Sequence, residues 1–259
     1  MKIASWNING IKARMDTVLR WLQEEQPDLA CFQEIKSIDE AFPREPIEAL
    51  GYHLETHGQK GFNGVALLSK TPFEEVIRRL PGDEADEQAR YIEGVVATDN
   101  GPVRLGGLYL PNGNPVDTPK FPYKLAWMQR LNAHAAQTLQ QEEAFILAGD
   151  YNVIPDPQDA AKPETWVGDA LYRPESRQAF RALNHLGFTE AIRATQDAVK
   201  TYTFWDYQAG AWQRNNGIRI DHLLLSPEAA DRLQGTGIDK HVRDWEKPSD
   251  HVPVWLELN

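Results

Sequence analysis

The chain has 259 residues, 41% of them hydrophobic and 25% charged, which is the composition of an ordinary globular protein. No apolar run approaches the roughly 20 residues that a membrane span needs, so no membrane partner is expected. The single cysteine, Cys31, excludes an intramolecular disulfide. Together with the lack of a signal-peptide pattern, it predicts a cytoplasmic protein. The formal net charge of −11 argues weakly against DNA as a substrate, because a local basic groove is still compatible with it.

The predicted elements follow one another in an irregular order. In chain order they are strand 2–8, helix 13–26, strands 28–34, 64–70, 91–98 and 103–110, helix 121–140, strand 144–152, helix 174–186, strand 219–225, helix 227–234, and strands 236–242 and 251–258. In the first helix Met15, Val18 and Leu22 lie at helical spacing, and Pro27 ends it. Because strands and helices do not alternate strictly, the pattern favours two packed sheets flanked by helices over a barrel or a Rossmann sheet. We expect one domain spanning 1–259.

Several of these strands begin or end on polar residues with useful chemistry. These residues are Asn7 and Asn9, Glu34, Tyr109 and Asn112, Asp150 and Asn152, Asp221, and Asp250 with His251. Each of them alone is explained by turn, cap or packing preferences. As a set they would be a poor way to make turns, but they would line one pocket well. The sequence therefore predicts a single polar site at the strand ends.

The residue types limit the metals that such a site would bind. Carboxylates and amides with a single histidine offer hard oxygen ligands, which suit Mg²⁺ or Mn²⁺ rather than zinc. A magnesium site commonly uses one or two carboxylates and leaves the other positions to water and substrate phosphate. Glu34 with Asn7 or Asp250 fits that pattern.

The remaining polar residues indicate hydrolysis by water. Asp150 would be free to orient or deprotonate a water molecule. His251, held by Asp221, would contact a phosphate oxygen and stabilise developing charge. The chain has neither a G-x-S-x-G motif nor a P-loop, and Cys31 is expected to be buried, so nucleophilic serine or cysteine chemistry is unsupported.

Six segments occur in a characteristic order along the chain. They are KIASWNINGIKAR, CFQEIK, GLYLPNGN, LAGDYNV, GIRIDHLLLS and SDHVPVWLEL, and they span essentially the whole sequence. In this order they resemble the exonuclease III family of apurinic/apyrimidinic endonucleases, a branch of the divalent-metal phosphoesterases that include deoxyribonuclease I. The resemblance implies a four-layer α/β sandwich of two packed mixed sheets flanked by helices. It also implies a DNA repair nuclease that cuts 5′ to abasic sites, with 3′→5′ exonuclease and 3′-end-trimming activity.

The resemblance also implies a role for each matched residue, with Mg²⁺ as cofactor and Mn²⁺ as an alternative. The implied metal ligands are Asn7, Glu34, Asp150, Asn152 and Asp250, with Glu34 as the principal one. The implied catalytic residues are Tyr109, Asp150, Asn152, Asp221 and His251. Among these, Asp150 would position or deprotonate the attacking water. Tyr109 and His251 would contact the scissile phosphate.

A further set of residues is implied to bind DNA. These are Asn9, Arg90, Asn112, Lys120, Phe204, Trp205, Trp212 and Ile218. Apolar side chains within 201–221, Ile220 among them, are expected to surround an extruded abasic sugar and to exclude an ordinary nucleotide. Lys120 and Lys124 are expected to contact phosphates. The expected partner is double-stranded DNA with abasic sites or blocked 3′ ends, bound by a monomer.

Two other functions stay open at this point. A small-molecule or lipid phosphoesterase of the same superfamily would share the catalytic core, but the aromatic stretch 201–212 and the loop TPKFPYK favour DNA. A non-catalytic RNA-binding regulator on the same scaffold would be expected to lose the metal- and phosphate-binding residues. In this chain those residues are all present.

Overall fold

The computed structural model describes residues 1–197 and 200–259, and within them twelve strands form two six-stranded sheets. The strands are β1 (Lys2–Asn7), β2 (Leu29–Gln33), β3 (His53–His57), β4 (Val65–Ser69), β5 (Phe73–Arg78), β6 (Tyr91–Val96), β7 (Val103–Tyr109), β8 (Ala144–Asp150), β9 (Thr189–Glu190), β10 (Asp221–Leu225), β11 (Leu233–Ile238) and β12 (Val254–Leu258). The helices are α1 (Ile11–Glu25), α2 (Glu45–Glu48), α3 (Lys120–Thr138), α4 (Pro174–Asn184), α5 (Ala191–Thr195) and α6 (Pro227–Ala230). Short 3-10 helices lie at Asp39–Ala41, Leu139–Gln141, Pro157–Asp159, Pro163–Trp166 and Lys240–Asp244. The first sheet has the order β11-β12-β1-β2-β4-β3, and the second has the order β5-β6-β7-β8-β10-β9.

Alternation along the strands decides which side chains lie between the sheets. Leu29 and Cys31 of β2 point inward and join a cluster with Ile146 of the second sheet. Their neighbour Phe32 points outward and packs edge-on against Trp21 of α1. Helices α3 and α4 cover the outer face of the second sheet in the same way. The layers are therefore helix, sheet, sheet and helix, and strands buried on both faces are apolar almost throughout.

The strand directions bring the polar strand ends together. β1 runs parallel to β2, and β7 runs parallel to β8, so the carboxyl ends of each pair lie side by side. The antiparallel strands β12 and β10 begin beside the ends of β1 and β8. In the second sheet the register places Asp150 opposite both Tyr109 and Asp221. One end of the sandwich therefore collects the polar residues that the sequence places at its strand ends.

The predicted architecture of two packed sheets flanked by helices is confirmed, and Cys31 is buried as expected. Two local predictions are wrong: the helix expected at 227–234 ends at Ala230, and the strand expected at 236–242 ends at Ile238, before the 3-10 helix Lys240–Asp244. The chain pairs with β12 already from Leu233 onward, because sheet pairing overrides local helix propensity there.

Three strands, β3, β5 and β9, were not predicted. They form the outer edges of their sheets and carry charged residues, which are typical of edge strands and mask the strand pattern. None of the helices in the described parts of the chain is long and apolar enough to cross a membrane.

Candidate active site

A cavity of about 220 Å³, called here the strand-end cavity, opens where the polar strand ends converge. The residues predicted from sequence that line it are Glu34, Tyr109, Asn112, Asp150, Asn152, Phe204, Asp250 and His251. Asn7 and Asp221 lie directly behind this lining and are hydrogen-bonded to it. The structure thus brings the predicted metal and catalytic residues to one place.

The backbone adopts the left-handed conformation at three positions next to strand ends. Asn9, Glu34 and Asn152 have φ angles of 47°, 49° and 47°. Asparagine tolerates this region, but a glutamate there is uncommon and costs on the order of 1 kcal/mol or more. The turn at Glu34 is held by a hydrogen bond from the backbone N–H of Gly10 to its carbonyl, at 2.7 Å. These turns direct Glu34 and Asn152 into the cavity instead of along the sheet.

Two asparagines connect the three carboxylates of the site. The Asn7 Nδ2 donates to Glu34 Oε1 at 2.9 Å and to Asp150 Oδ2 at 3.0 Å, so it joins the two sheets. Its Oδ1 accepts the backbone N–H of Asn9 at 3.0 Å, and the Asn9 Nδ2 donates to Asp250 Oδ1 at 3.1 Å. Carboxylate and amide oxygens of this kind form a hard donor set that fits a divalent cation such as Mg²⁺.

Glu34 is held in its ionised form. Burial opposes ionisation, but the hydrogen bond from Asn7 and the charge of Lys36 outweigh it and lower the pKa of Glu34. The Lys36 Nζ lies 3.1 Å from Glu34 Oε2 and also donates to Asn9 Oδ1 at 2.5 Å. A cation that binds Glu34 would therefore meet a carboxylate that needs no deprotonation.

His251 and Asp221 form a buried pair beside Asp150. Their atoms Nδ1 and Oδ2 are 2.8 Å apart, and the Thr203 hydroxyl donates to the same Oδ2 at 2.6 Å. The His251 Nε2 lies 3.6 Å from Asp150 Oδ2. Burial lowers the pKa of His251, but the charges of Asp221 and Asp150 outweigh it and raise that pKa well above its usual value. The imidazole is therefore cationic at neutral pH, with Nε2 free to donate toward the cavity.

The cationic imidazole also decides which carboxylates suit a metal. One ligand atom each of Asp150, Asp221 and His251 lies within 4.8 Å of the other two. This group is a poor cation site, because the imidazolium would repel the ion and its Nδ1 is already bonded to Asp221. The other two carboxylates of the cavity, Glu34 and Asp250, suit a cation better.

Asp150 is buried, and both of its carboxylate oxygens accept hydrogen bonds. Its Oδ1 accepts the backbone N–H of Asn152 at 2.9 Å, and its Oδ2 accepts from Asn7. Burial raises the pKa of this carboxyl above its usual value, although the charge of His251 opposes the shift. A carboxylate with a raised pKa is a better proton acceptor than an exposed one, which suits deprotonation of a water molecule.

Lys124 is buried, contrary to the predicted phosphate contact. Its side chain is fully buried in α3, and burial lowers its pKa to about 7. The Nζ donates to the carbonyl oxygens of Asn112 at 3.1 Å and Asn152 at 2.5 Å. The predicted phosphate contact is therefore wrong, because the amine faces the backbone of two site loops. Helical spacing was the missed signal: Lys124 shares the buried face with Phe121, Met128 and Leu131.

Tyr109 and Arg90 pack together at the cavity wall. The Arg90 guanidinium lies 4.9 Å from the centre of the Tyr109 ring and donates to the Tyr109 carbonyl at 3.2 Å. Burial, followed by the charges of Glu34 and Asp150, raises the pKa of Tyr109 well above its usual value, so the phenol keeps its proton. A phosphate contact by Arg90 stays a prediction, as does one by the exposed Lys120 at the start of α3.

The aromatic residues of the 201–212 stretch separate into two groups. Phe204 lines the cavity, with its ring centre 5.0 Å from that of His251. Trp205 is fully buried and packs edge-on against Trp212 at 4.8 Å, and the Trp212 indole N–H donates to Asp244 at 2.6 Å. The predicted DNA contact of Trp205 is wrong, because a side chain without exposed surface cannot touch DNA. Trp212 lies outside the cavity, and Ile218 lines a neighbouring one.

Four further residues line the cavity without having been predicted. They are Asn114, Trp166, Asp169 and Leu171. The Asn114 Nδ2 donates to Asp169 Oδ1 at 3.0 Å, so two loops 55 residues apart are tied together at the rim. Irregular loops have no hydrophobic period, so the sequence offered no signal for these contacts. The expected Ile220 also lines the cavity.

The four-layer fold with a carboxylate-rich cavity at its end defines the class of protein as a phosphoesterase of the deoxyribonuclease I type. Residues 4–251 match the Endonuclease/Exonuclease/phosphatase family, and the chain belongs to that family. Exodeoxyribonuclease III of Haemophilus influenzae is 35% identical over 266 residues, covering all of both chains. The 3′ phosphatase NExo from Neisseria, solved with a product DNA hairpin, is 34% identical with a TM-score of 0.95, over all of this chain and 99% of its own. An AP endonuclease from Archaeoglobus fulgidus is 34% identical with a TM-score of 0.93, with the same two coverages.

Proposed function

We propose that this protein is a DNA repair nuclease that hydrolyses the phosphodiester 5′ to abasic sites in duplex DNA. We further propose that it removes nucleotides and blocking groups from 3′ ends. The observation that carries this proposal is the strand-end cavity. There the three carboxylates Glu34, Asp150 and Asp250 and the His251–Asp221 pair surround a space bordered by Phe204.

The residues that would hold the metal are Glu34 and Asp250, with Asn7 and Asn152 as amide neighbours. Their oxygens fit Mg²⁺, with Mn²⁺ as the alternative. A bound ion would act as a Lewis acid on a phosphate oxygen. The ionised state of Glu34 supports its place as the principal ligand.

The protein's own residues transfer the proton and stabilise the negative charge. Asp150 orients the water and accepts its proton as the water oxygen attacks phosphorus. The His251 Nε2 and the Tyr109 hydroxyl donate to phosphate oxygens, where negative charge builds up in the transition state. The bond between phosphorus and the preceding O3′ then breaks, and the departing O3′ takes a proton from solvent water. The products are a 3′-hydroxyl end and a 5′-phosphate on the abasic sugar.

The cavity size supports selection of an abasic sugar. About 220 Å³, bordered by Phe204, Leu171 and Ile220, offers a small, partly apolar space beside the phosphate-binding groups. An extruded sugar without a base suits such a space. The exposed Asn112 and Lys120 and the half-buried Asn9 supply contacts to the DNA backbone, as does Arg90. We propose that the chain acts in the cytoplasm as a monomer with one domain, and that a few such contacts compensate for its net charge of −11.

A panel of substrates tests this proposal. The protein would be incubated with Mg²⁺ and, in separate reactions, an abasic duplex, an inositol polyphosphate and sphingomyelin. Asp150→Asn is the catalytic variant, and Asp231→Asn, at an exposed position, is the matched control. We expect hydrolysis of the duplex alone, lost by at least about 100-fold in Asp150→Asn and unchanged in the control. Preferential hydrolysis of the lipid or the inositol phosphate would overturn the proposal. RNA binding without hydrolysis of any substrate would do the same.

A further inference from the structure

A second cavity of about 270 Å³ lies beside the strand-end cavity. The two cavities share two walls, formed by the side chains of Trp166 and Phe204. Phe204 is half-buried, with one cavity on each side of it. Both cavities are therefore bordered by the same two aromatic rings, and a nucleotide in the first has the second next to it.

The shared wall is fixed relative to the catalytic imidazole. The backbones of Phe204 and Ile218 exchange two hydrogen bonds, each of 3.0 Å. Phe204 also forms a backbone bridge with His251, and the two rings meet at an angle of 64°. Ile218, which is almost fully buried, forms the floor of the second cavity. The space beyond Phe204 is therefore a built part of the site.

The chemistry of the second cavity differs from that of the first. Its polar lining consists of Asp206, Gln208 and Asn216, all of them exposed, and none of the described residues that line it is Lys, Arg or His. A carboxylate without a basic neighbour would repel a phosphate. Side-chain amides offer both a donor and an acceptor, and neither of these two amides is engaged by another protein group in the described part of the chain. Such a lining suits a neutral, planar molecule with hydrogen-bonding edges.

We propose that the second cavity binds the nucleobase of the nucleotide whose 5′ phosphodiester is cut. This inference rests on the proposed function. With its sugar in the strand-end cavity, a base-bearing nucleotide directs its base past Phe204 and Trp166, where aromatic faces stack on it. The amides of Gln208 and Asn216 then contact the base edges. An abasic nucleotide leaves this space empty.

The second cavity thus extends one reaction to a second class of substrate. Water attacks the phosphorus on the 5′ side of the bound nucleotide, and the bond to the preceding O3′ breaks, whether or not a base is attached. At a 3′ end the products are a nucleoside 5′-monophosphate and a new 3′-hydroxyl. The base-bearing reaction needs both cavities, whereas incision at an abasic site needs one.

A variant that fills the second cavity separates the two reactions. Asn216→Trp places an indole at the rim, and Gln213→Trp is the matched control, because Gln213 is exposed on the same loop and lines neither cavity. For each protein, kcat/KM would be measured on a duplex with one abasic analogue and on a duplex with an ordinary recessed 3′ end. Thermal melting would establish that each variant is folded. Asn216→Ala, tested with each of the four bases at the 3′ end, removes one edge contact without filling space.

We expect Asn216→Trp to lower release of the 3′-terminal nucleotide by about tenfold or more while abasic incision stays within about twofold. Gln213→Trp should change neither rate, and Asn216→Ala should change the ranking of the four terminal bases. Equal loss of both activities in Asn216→Trp with unchanged melting would overturn the inference, and so would no loss of either. Failure of the wild-type protein to cut the abasic duplex would instead refute the proposed function itself.

Discussion

Replacement of Asp221 by asparagine tests how the catalytic imidazole is kept charged. Only Oδ2 of Asp221 accepts hydrogen bonds from protein groups, namely from His251 and Thr203, whereas Oδ1 is buried without a protein partner among the described residues. In Asp221→Asn the amide oxygen must take the place of Oδ2, so the new NH₂ group faces the position without an acceptor. An unsatisfied buried donor costs about 1–3 kcal/mol, which should lower the melting temperature by several degrees.

The same change should remove most of the positive charge from the imidazole. Burial lowers the pKa of His251, and Asp221→Asn removes the strongest of the charges that oppose this effect, leaving those of Asp150 and Asp250. A neutral His251 is a weaker donor to the scissile phosphate. By analogy with loss of an oxyanion donor, turnover should fall by about 10²- to 10³-fold, or roughly 3–4 kcal/mol.

Two measurements would decide the matter. Single-turnover kinetics on an abasic duplex give the chemical rate, and NMR titration of the His251 ring nitrogens in metal-free protein gives its protonation state. The exposed Asp231→Asn serves as the control for loss of one negative charge. A His251 ring that stays protonated through neutral pH in Asp221→Asn would refute the role given to Asp221. A rate within about tenfold of wild type would refute it equally.

Three further predictions concern the metal, the acid stability and the pocket wall. Glu34→Ala should raise the Mg²⁺ concentration at half-maximal rate and partly recover at high Mg²⁺; an unchanged half-saturation point would remove Glu34 from the metal site. Burial opposes ionisation of Glu93, but hydrogen bonds from His134, Tyr91 and Arg104 outweigh it and lower the pKa of Glu93. The ionised carboxylate therefore stabilises the fold at pH values above 4.5, the usual pKa of the group, and this contribution is lost as the pH falls below 4.5. Urea unfolding of Glu93→Gln between pH 3 and 7 should therefore show a flatter acid limb, and a parallel pair of curves would contradict the assignment. Phe204→Ala should lower the rate of abasic incision relative to internal cleavage of an undamaged duplex, with little change in melting. Trp205→Ala should instead lower stability by roughly 3–5 kcal/mol and leave that ratio unchanged; the reverse pattern would exchange their roles.

The sequence was sufficient to predict that the polar strand ends gather in one place, because parallel strands end together. Polar residues at the ends of apolar runs, such as Tyr109 and Asp150, lie side by side once β7 and β8 pair in parallel. Long-range packing was needed for the rest. Phe204 and Trp205 are neighbours in an irregular segment, and without a period the sequence cannot tell which of them is buried. Lys124 is the opposite case, since its helical spacing already placed it on the buried face of α3.

The most direct test of the central claim is the position of the cut. A 5′-labelled duplex carrying one abasic analogue would be incubated with the protein and Mg²⁺, and early products would be sized at single-nucleotide resolution. We expect one product with a 3′-hydroxyl end immediately 5′ to the lesion, absent when EDTA replaces Mg²⁺. An intact abasic strand, a cut at random positions, or cleavage that persists in EDTA would contradict it.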